Sequence, residues 1–371
     1  MKVDESVLSR YSGGAQQREE ALCCPVDYDQ SLLALLPQEI VDRDYGCGDP
    51  SRYVQAGDVV LDLGSGGGKI CYMAAQLVGE QGHVHGVDIN NDMLGLARSY
   101  QAEMAGKLGH DLVTFHKGFI QDLALDVAAM ENWLAENPVK TADDYLALEQ
   151  WKTEFRKTTP MIADNSVDLV VSNCVLNLVS EADRANMIAE IYRVLKPGGR
   201  VAISDIVADQ EVPQHLKDDG HLWSGCISGA YHEKAFLEAF ANAGFSGVAY
   251  DKWDPTPWQV VEGIEFRSVT ITAHKRSAEG RADFGHAVIY TGPYQQVSDD
   301  DGYTYPKGER MAVSKRTYQF LTTGPMKQDF VGIAPAEEKE LGSSCGLPGT
   351  KRPAKQTMGS RQISQSGASC C

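Results

Sequence analysis

The stretch Val59 to Gly68, VVLDLGSGGG, constrains this chain more than any other. A short apolar run ends in an acid and a Gly-rich turn, and Lys69 to Val78 follows with helical composition. The order is therefore strand, tight loop, helix N-terminus. Gly64, Gly66 and Gly68, with Ser65 after the first, let the backbone come close to a ligand, and the free N–H groups of the new helix face whatever sits on the loop. Glycine clusters also build ordinary turns, so the flanking acids carry the case for a ligand. Asp62 lies two residues before Gly64, and the next strand, HVHGVD, ends in Asp88, 20 residues beyond Gly68. That is the distance expected of a group that holds a ribose hydroxyl.

The details of the loop select the cofactor. A dinucleotide site keeps its third glycine three places after the second and offers the helix dipole to a pyrophosphate. Here the glycines are spaced two and two with an acid in front, which repels phosphate and suits the ammonium of an amino-acid moiety. D-x-G-x-G-x-G with an acid at the end of the second strand resembles the S-adenosyl-L-methionine site of class I methyltransferases.

Composition narrows the partners. At 371 residues the chain exceeds one ordinary domain, and 43% hydrophobic residues are enough for a buried core. A net charge of −17 argues against a nucleic-acid surface, because phosphate binding needs clustered Lys and Arg. The opening MKVDESVLSR has acids where a signal peptide needs an apolar core, and no stretch is long enough to span a membrane. A cytoplasmic protein acting on a small molecule is expected. Nine cysteines, an odd number, then argue against a structural disulfide set and for thiols that bind or react.

The pattern along the chain predicts an α/β fold, a doubly wound, mostly parallel Rossmann-like sheet. Strands are expected at 58–63, 83–88 and 112–116, with helices at 69–78 and 92–107 between them. Five regions are expected. They are an N-terminal segment, 1–50; a cofactor-binding core, 51–206, with a helical insertion at 119–165; a substrate segment and the end of the sheet, 207–276; a small β-rich accessory domain, 277–334; and a polar, disordered tail, 335–371, ending in Cys370 and Cys371. The insertion, with Trp133, Trp151 and Phe155, is assigned to packing. In SVDLVVSNCVLNLV a buried strand runs into Ser172, Asn173 and Cys174, and ligands collect at the carboxyl ends of such strands. KPGGR is expected as a turn, VAISDI as the fifth strand and 264–274 as a strand that closes the sheet. Cys71, in the first turn of the first sheet helix, is read as an inert core thiol.

Three thiols stand out together. Cys47 lies between Gly46 and Gly48, Cys226 lies in SGCISGA, and Cys174 sits at a strand end beside the cofactor loop. Converging thiols make a site for a soft ion. Zinc usually arrives with C-x-x-C pairs and a fourth ligand, neither of which is apparent. Trivalent arsenic takes three sulfurs in a pyramid and keeps a lone pair on the open side.

RYSGG, DYGCGDP, VVLDLGSGGGKICYMAAQLVGEQGHVHGVD, VSNCVLNLV, YRVLKPGGR and LWSGCISGA together resemble the arsenite S-adenosylmethionine methyltransferases, in order, over most of residues 10–275. The resemblance implies that Cys174 and Cys226 hold As(III), that Cys47 can act as third ligand, and that Cys23 or Cys24 takes part in redox cycling. It further implies that Asp62 and the loop from Gly64 through Ser65 and Gly66 to Gly68 hold the methionine part of the cofactor. Asp88 would take the ribose, with Ile89, Met93 and Asn173 also lining the cofactor site, and Ile120 with Gln121 the adenine edge. Tyr45 could lay its ring near the sulfonium. Arsenite and methylarsenite are the implied substrates, with thioredoxin or glutathione as reductant. Two other readings stay open: a C- or O-methyltransferase whose cysteines only pack, and a metalloid-binding protein without turnover.

Overall fold

The computed structural model describes residues 3–17, 19, 26–43, 45–276, 283–324, 326–338, 340 and 350–352, and divides into two compact units, Met1–Arg276 and Ser277–Cys371. Cys23, Cys24, Cys345, Cys370 and Cys371 lie outside the described residues.

The first unit begins with helices α1 (Val3–Gln16), α2 (Gln30–Leu33) and α3 (Gln38–Arg43) and a 3₁₀ turn, Pro50–Tyr53. The alternating core follows: β1 (Val59–Leu63), α4 (Lys69–Val78), β2 (His83–Asp88), α5 (Asn91–Ser99), α6 (Gln101–Leu108) and β3 (Val113–Lys117). The segment expected as one helix at 92–107 is two. It breaks at Tyr100, which closes α5 and opens α6. The insertion is a helix pair, α7 (Val127–Glu136) and α8 (Ala142–Thr158), and α8 opens with a capping box of Thr141 and Asp144. None of the residues of α8 is fully buried, and stacking of Trp133 on Trp151, 5.6 Å between ring centroids, holds the pair together.

The chain then returns to the sheet through β4 (Val167–Asn173), α9 (Arg184–Val194) and β5 (Leu195–Ala208). KPGGR is part of β5 and not a separate turn. Leu195 pairs with Val167 and Arg200 with Leu169, so the glycines are absorbed as a bulge in the strand. After short helices α10 (Gln214–Lys217) and α11 (Gly220–Ser224), β6 (Tyr231–His232), α12 (Glu233–Asn242), β7 (Phe245–Trp253), β8 (Gln259–Val261) and β9 (Ile264–Lys275) complete the unit.

The strand order is β3-β2-β1-β4-β5-β9-β7, parallel as far as β5, with β9 and β7 antiparallel. Two apolar clusters cover the sheet. One gathers Leu61, Leu63, Val170, Ile188, Phe236 and Phe240, and the other Val60, Met73, Val84, Leu94, Leu169 and Val171. Neighbouring residues of β1 and β4 thus divide between the two clusters, as the period of two requires of a sheet buried on both faces. Each such side chain contributes roughly 1.5–3 kcal/mol on burial. The strand order reverses between β2 and β4 about β1. That reversal opens a crevice at the carboxyl ends of β1 and β4, where ligands bind in sheets of this kind.

The second unit carries β10 (Ala287–Tyr290), β11 (Gln296–Ser298), β12 (Thr304–Pro306), β13 (Arg310–Ala312), α13 (Lys315–Thr323) and β14 (Phe330–Ile333). Its core is Val288, Tyr290, Tyr305, Met311, Leu321 and Phe330. Within this unit Lys351 bridges to Met311, and the buried Arg352 guanidinium pairs with Asp283 at 2.5 Å.

Candidate active site

The loop after β1 takes the expected form. Val87 O accepts the N–H groups of Gly64 (2.8 Å) and Ser65 (3.0 Å), and Gly68, at φ 88°, turns the chain into α4 as its N-cap. Asp88 ties the loop to the next strand end. Its Oδ2 accepts the Gly66 N–H at 2.9 Å, and its Oδ1 accepts the Asn90 N–H at 2.8 Å. Asn90 in turn caps α5 through the N–H groups of Asp92 and Met93. Asp62, 2% exposed, accepts the Cys71 thiol at 3.3 Å, so Cys71 is a buried partner of that acid.

A cavity of ≈ 330 Å³ opens over this crevice. Of the expected site residues, its wall contains Tyr45, Gly64, Gly66, Asp88, Ile89, Met93, Ile120, Gln121, Asn173, Cys174 and Cys226. Asp62, Ser65, Gly68 and Cys47 are buried and are not among the residues lining the cavity. Tyr45 is held by its hydroxyl, which accepts the Glu19 N–H at 2.8 Å and donates to Gly14 O at 3.2 Å. Its ring meets Tyr11 edge-on, 6.3 Å between centroids.

The three thiols converge. Cys47 and Cys174 are joined as a disulfide, with their Cα atoms 5.9 Å apart. Cys226 donates its thiol to Cys174 O at 3.0 Å. Cys47, Cys174 and Cys226 are 0%, 9% and 4% exposed and share an apolar cluster with Ile206, Val212, Ile227 and Phe266. The expectation of reactive thiols and no structural disulfide set meets a bridge that joins two of the proposed ligands. Cys174 and Cys226 both have φ 61°, in the left-handed region that non-glycine residues rarely occupy. Such conformations cost of order 1–3 kcal/mol each and persist only where the surroundings impose them.

Those surroundings are visible. Asp205, on β5 and fully buried, accepts the Asn177 N–H (3.2 Å), the Asn177 side-chain amide (2.8 Å) and the Ile206 N–H (2.8 Å). It thereby pins the turn that follows Cys174. Its carboxyl lies within 4.8 Å of the Cys174 and Cys226 sulfurs, and burial pushes its pKa up to about 7 against the opposing pull of the N–H donors. Arg184 clamps the Cys226 side, donating to Gly229 O (2.5 Å), Val179 O (3.2 Å) and Asn177 O (3.4 Å) while lying over the Tyr231 ring. Helix α1 closes the cavity with Val7, Leu8 and Tyr11, and the Tyr11 hydroxyl reaches Cys226 Sγ at 4.0 Å. Burial first, and Cys226 second, push the Tyr11 pKa well above the usual phenol value.

Asp205, Asn177, Arg184 and Tyr11 carry no role in the sequence reading. Asp205 had a signal, an acid inside the apolar run VAISDI at the same sheet end as Cys174. Tyr11 lies in the RYSGG motif, but only the packing of α1 brings it to Cys226.

With this geometry in place, the comparisons with known proteins are specific. Residues 55–144 and 147–244 match the model of a methyltransferase domain, and residues 277–362 match a domain of unknown function (DUF8838). The chain is 32% identical to the arsenite methyltransferase of Aquipseudomonas alcaligenes over an alignment of 305 positions that covers 78% of each chain. The chain belongs to the arsenite methyltransferase family. It is also 29% identical to the human arsenite methyltransferase, over 92% of this chain and 87% of that one. The crystal structure of an arsenic (III) S-adenosylmethionine methyltransferase from Chlamydomonas reinhardtii matches with a TM-score of 0.54 and 28% identity, covering 84% of this chain and 97% of that one. The expected fold class and the assignment to a family of S-adenosylmethionine-dependent enzymes both stand. Among the described residues no helix is long and apolar enough to cross a membrane.

Proposed function

We propose that this arsenite methyltransferase moves methyl groups from S-adenosyl-L-methionine to trivalent arsenic, arsenite first and methylarsenite after it, held by Cys47, Cys174 and Cys226. The observation that carries the reading is the meeting of these three thiols, from distant parts of the sequence, at the carboxyl end of β4 and beside the loop after β1. Arsenite carries three hydroxyls. Each thiol that displaces one passes its proton to the departing hydroxide, so three waters leave and three As–S bonds form. The apolar shell of Ile206, Ile227 and Phe266 excludes water from those bonds.

The cradle fits the cofactor. Ser65 Oγ is buried with no hydrogen-bond partner among the described residues, Asp62 offers a carboxylate to an ammonium, and Asp88 stands at the end of β2 for the ribose. Ile89, Met93, Ile120 and Gln121 line the same cavity. S-adenosylmethionine, when bound, supplies an electrophilic methyl on a sulfonium, for which the arsenic lone pair is the nucleophile.

Each methylation takes arsenic from +3 to +5, and return to +3 needs two electrons. Two thiols closing to a disulfide deliver two electrons and two protons. Cys47 and Cys174 lie close enough to bridge, so they are a pair that could supply those electrons, and both must be reduced to thiols to hold arsenic. An external dithiol or thiol of the thioredoxin or glutathione class in the cytoplasm supplies that reduction. The redox role of Cys23 or Cys24 is carried by the family resemblance alone.

Reduced protein treated with iodoacetamide, with and without arsenite, tests the reading. Arsenite should protect Cys47, Cys174 and Cys226 from alkylation, and alkylation should abolish methyl transfer. Methyl transfer that survives alkylation would mean that the cysteines only pack, as in a C- or O-methyltransferase. Protection without turnover would mark a metalloid-binding protein.

A further inference from the structure

Asn173 closes β4 one residue before Cys174, and its side chain faces the Cys47 loop. Oδ1 accepts the N–H groups of Cys47 (2.8 Å) and Gly48 (3.0 Å). Nδ2 donates to Gly48 O (2.8 Å) and to the Tyr28 hydroxyl (3.2 Å). The amide thus uses both acceptor sites and both donors, its full capacity, and three of the four bonds grip two consecutive residues.

We propose that Asn173 is the positioning residue that makes Cys47 available as a third sulfur, and so determines whether the site takes arsenite as well as its methylated product. The inference rests on the three-thiol reading above. Cys47 lies 126 residues from Asn173, on a segment of irregular structure, so β4 must fix the thiol by side-chain bonds and not by a strand ladder. The two flanking glycines are shaped to that grip. A Cβ at Gly46 would lie 2.2 Å from Asn173 Nδ2, and one at Gly48 would lie 2.2 Å from Ser204 Oγ. From β9, Ser268 Oγ donates to Cys47 O at 2.6 Å and secures the opposite side of the same residue.

Neither aspartate nor a smaller residue reproduces this grip. A carboxylate would turn an acceptor toward Gly48 O, where the amide presents a donor, and alanine would leave two buried N–H groups unpaired. Cys174 is set by its own N–H to Ser204 O (2.8 Å), and the turns beside Cys174 and Cys226 by Asp205 and Arg184. A species that already carries one methyl offers one fewer hydroxyl and needs only those two sulfurs. Losing Asn173 should therefore separate the two substrates.

The test uses full-length protein carrying Asn173→Ala, and separately Gly46→Ala, which disturbs the same grip from its other side. Steady-state methyl transfer is measured with arsenite and with methylarsonous acid, alongside S-adenosylhomocysteine affinity and the rate at which diamide bridges Cys47 to Cys174. Each variant should lose about tenfold more activity on arsenite than on methylarsonous acid, with S-adenosylhomocysteine affinity within about twofold of wild type and slower bridging. In a Cys47→Ser background, Asn173→Ala should cost nothing further on arsenite. Equal losses on both substrates together with weakened S-adenosylhomocysteine binding would overturn the proposal and make Asn173 a cofactor residue. If Asn173→Ala does not fold, Gly46→Ala decides. If wild type methylates neither substrate, the functional reading fails, while unchanged bridging rates in the variants would separately refute the clamp.

Discussion

Replacing Asp88 by alanine should weaken cofactor binding while the protein still folds. In the structure the carboxylate accepts the Gly66 N–H at 2.9 Å and the Asn90 N–H at 2.8 Å, which joins the Gly-rich loop to the end of β2. The loop keeps its shape without it, because Val87 O still holds Gly64 and Ser65, and Ser65 O still accepts the Gly68 N–H at 2.9 Å. Asn90 is buried, so the stability cost is that of two part-buried N–H groups losing a charged acceptor, about 1–3 kcal/mol. The cofactor loses a comparable amount. A ribose diol on an ionised carboxylate makes charge-assisted bonds, and removing them costs about 1.5–3 kcal/mol, or roughly 10–150-fold in dissociation constant. Isothermal titration with S-adenosylhomocysteine gives the affinity, and thermal melts give the stability. Asp88→Asn keeps the side-chain volume and one acceptor and should fall between wild type and alanine. An Asp88→Ala protein that binds S-adenosylhomocysteine within about twofold of wild type would refute the placement of the ribose at β2.

Other consequences follow from the thiols and from a histidine cluster. Cys47→Ser should reduce methylation of arsenite more than that of methylarsonous acid, whereas Cys174→Ser should abolish both; turnover by the Cys174→Ser protein on either substrate would exclude that sulfur as a ligand. His85 Nδ1 lies 3.0 Å from His116 Nε2 beside His83, and burial, then His116 and His83, lower the His85 pKa to about 4. The unfolded chain, with its ordinary value of 6.5, binds that proton more readily, so stability is complete above about pH 6.5 and falls as pH drops toward 4. His85→Gln should recover on the order of 1–2 kcal/mol of the loss between pH 7.5 and pH 5 in chemical denaturation, and identical pH profiles for the two proteins would contradict this.

The strand, glycine loop and acid expected to hold the cofactor were legible in the sequence because they depend on local geometry. A strand, a glycine turn and a helix are contiguous, and the acid that serves them ends the next strand, so spacing alone locates Asp62, Gly64 and Asp88. Cys174 was legible for a related reason, since the sheet rule delivers any residue after β4 to the same edge. What the sequence hid is non-local. Helix α1 contains Gly13 and Gly14, which disfavour a helix. It is held by tertiary contacts, Arg10 to His221 O (3.0 Å) and Ser224 (3.2 Å), and Asn90 to Leu8 O (3.3 Å). Propensity could not reveal those partners, so Tyr11 went without a role. Asn173 was expected only to line the cofactor site, and its hydrogen bonds to Cys47, 126 residues away, were hidden for the same reason. The left-handed backbone of Cys174 and Cys226 is likewise imposed by Asp205, Asn177 and Arg184, and glycine-rich surroundings in the sequence only hint at such a turn.

The central claim is that arsenic bonded to protein sulfur is the methyl acceptor. Its most direct measurement is arsenic speciation after fully reduced protein is incubated with arsenite and isotopically methyl-labelled S-adenosylmethionine, with thioredoxin, its reductase and NADPH as the only source of electrons. Labelled methyl and dimethyl arsenicals should accumulate over many turnovers, and the signal should disappear with Cys174→Ser or Cys226→Ser. Label appearing on arsenic at the wild-type rate in those two variants, or no labelled arsenical from the wild type, would contradict the account.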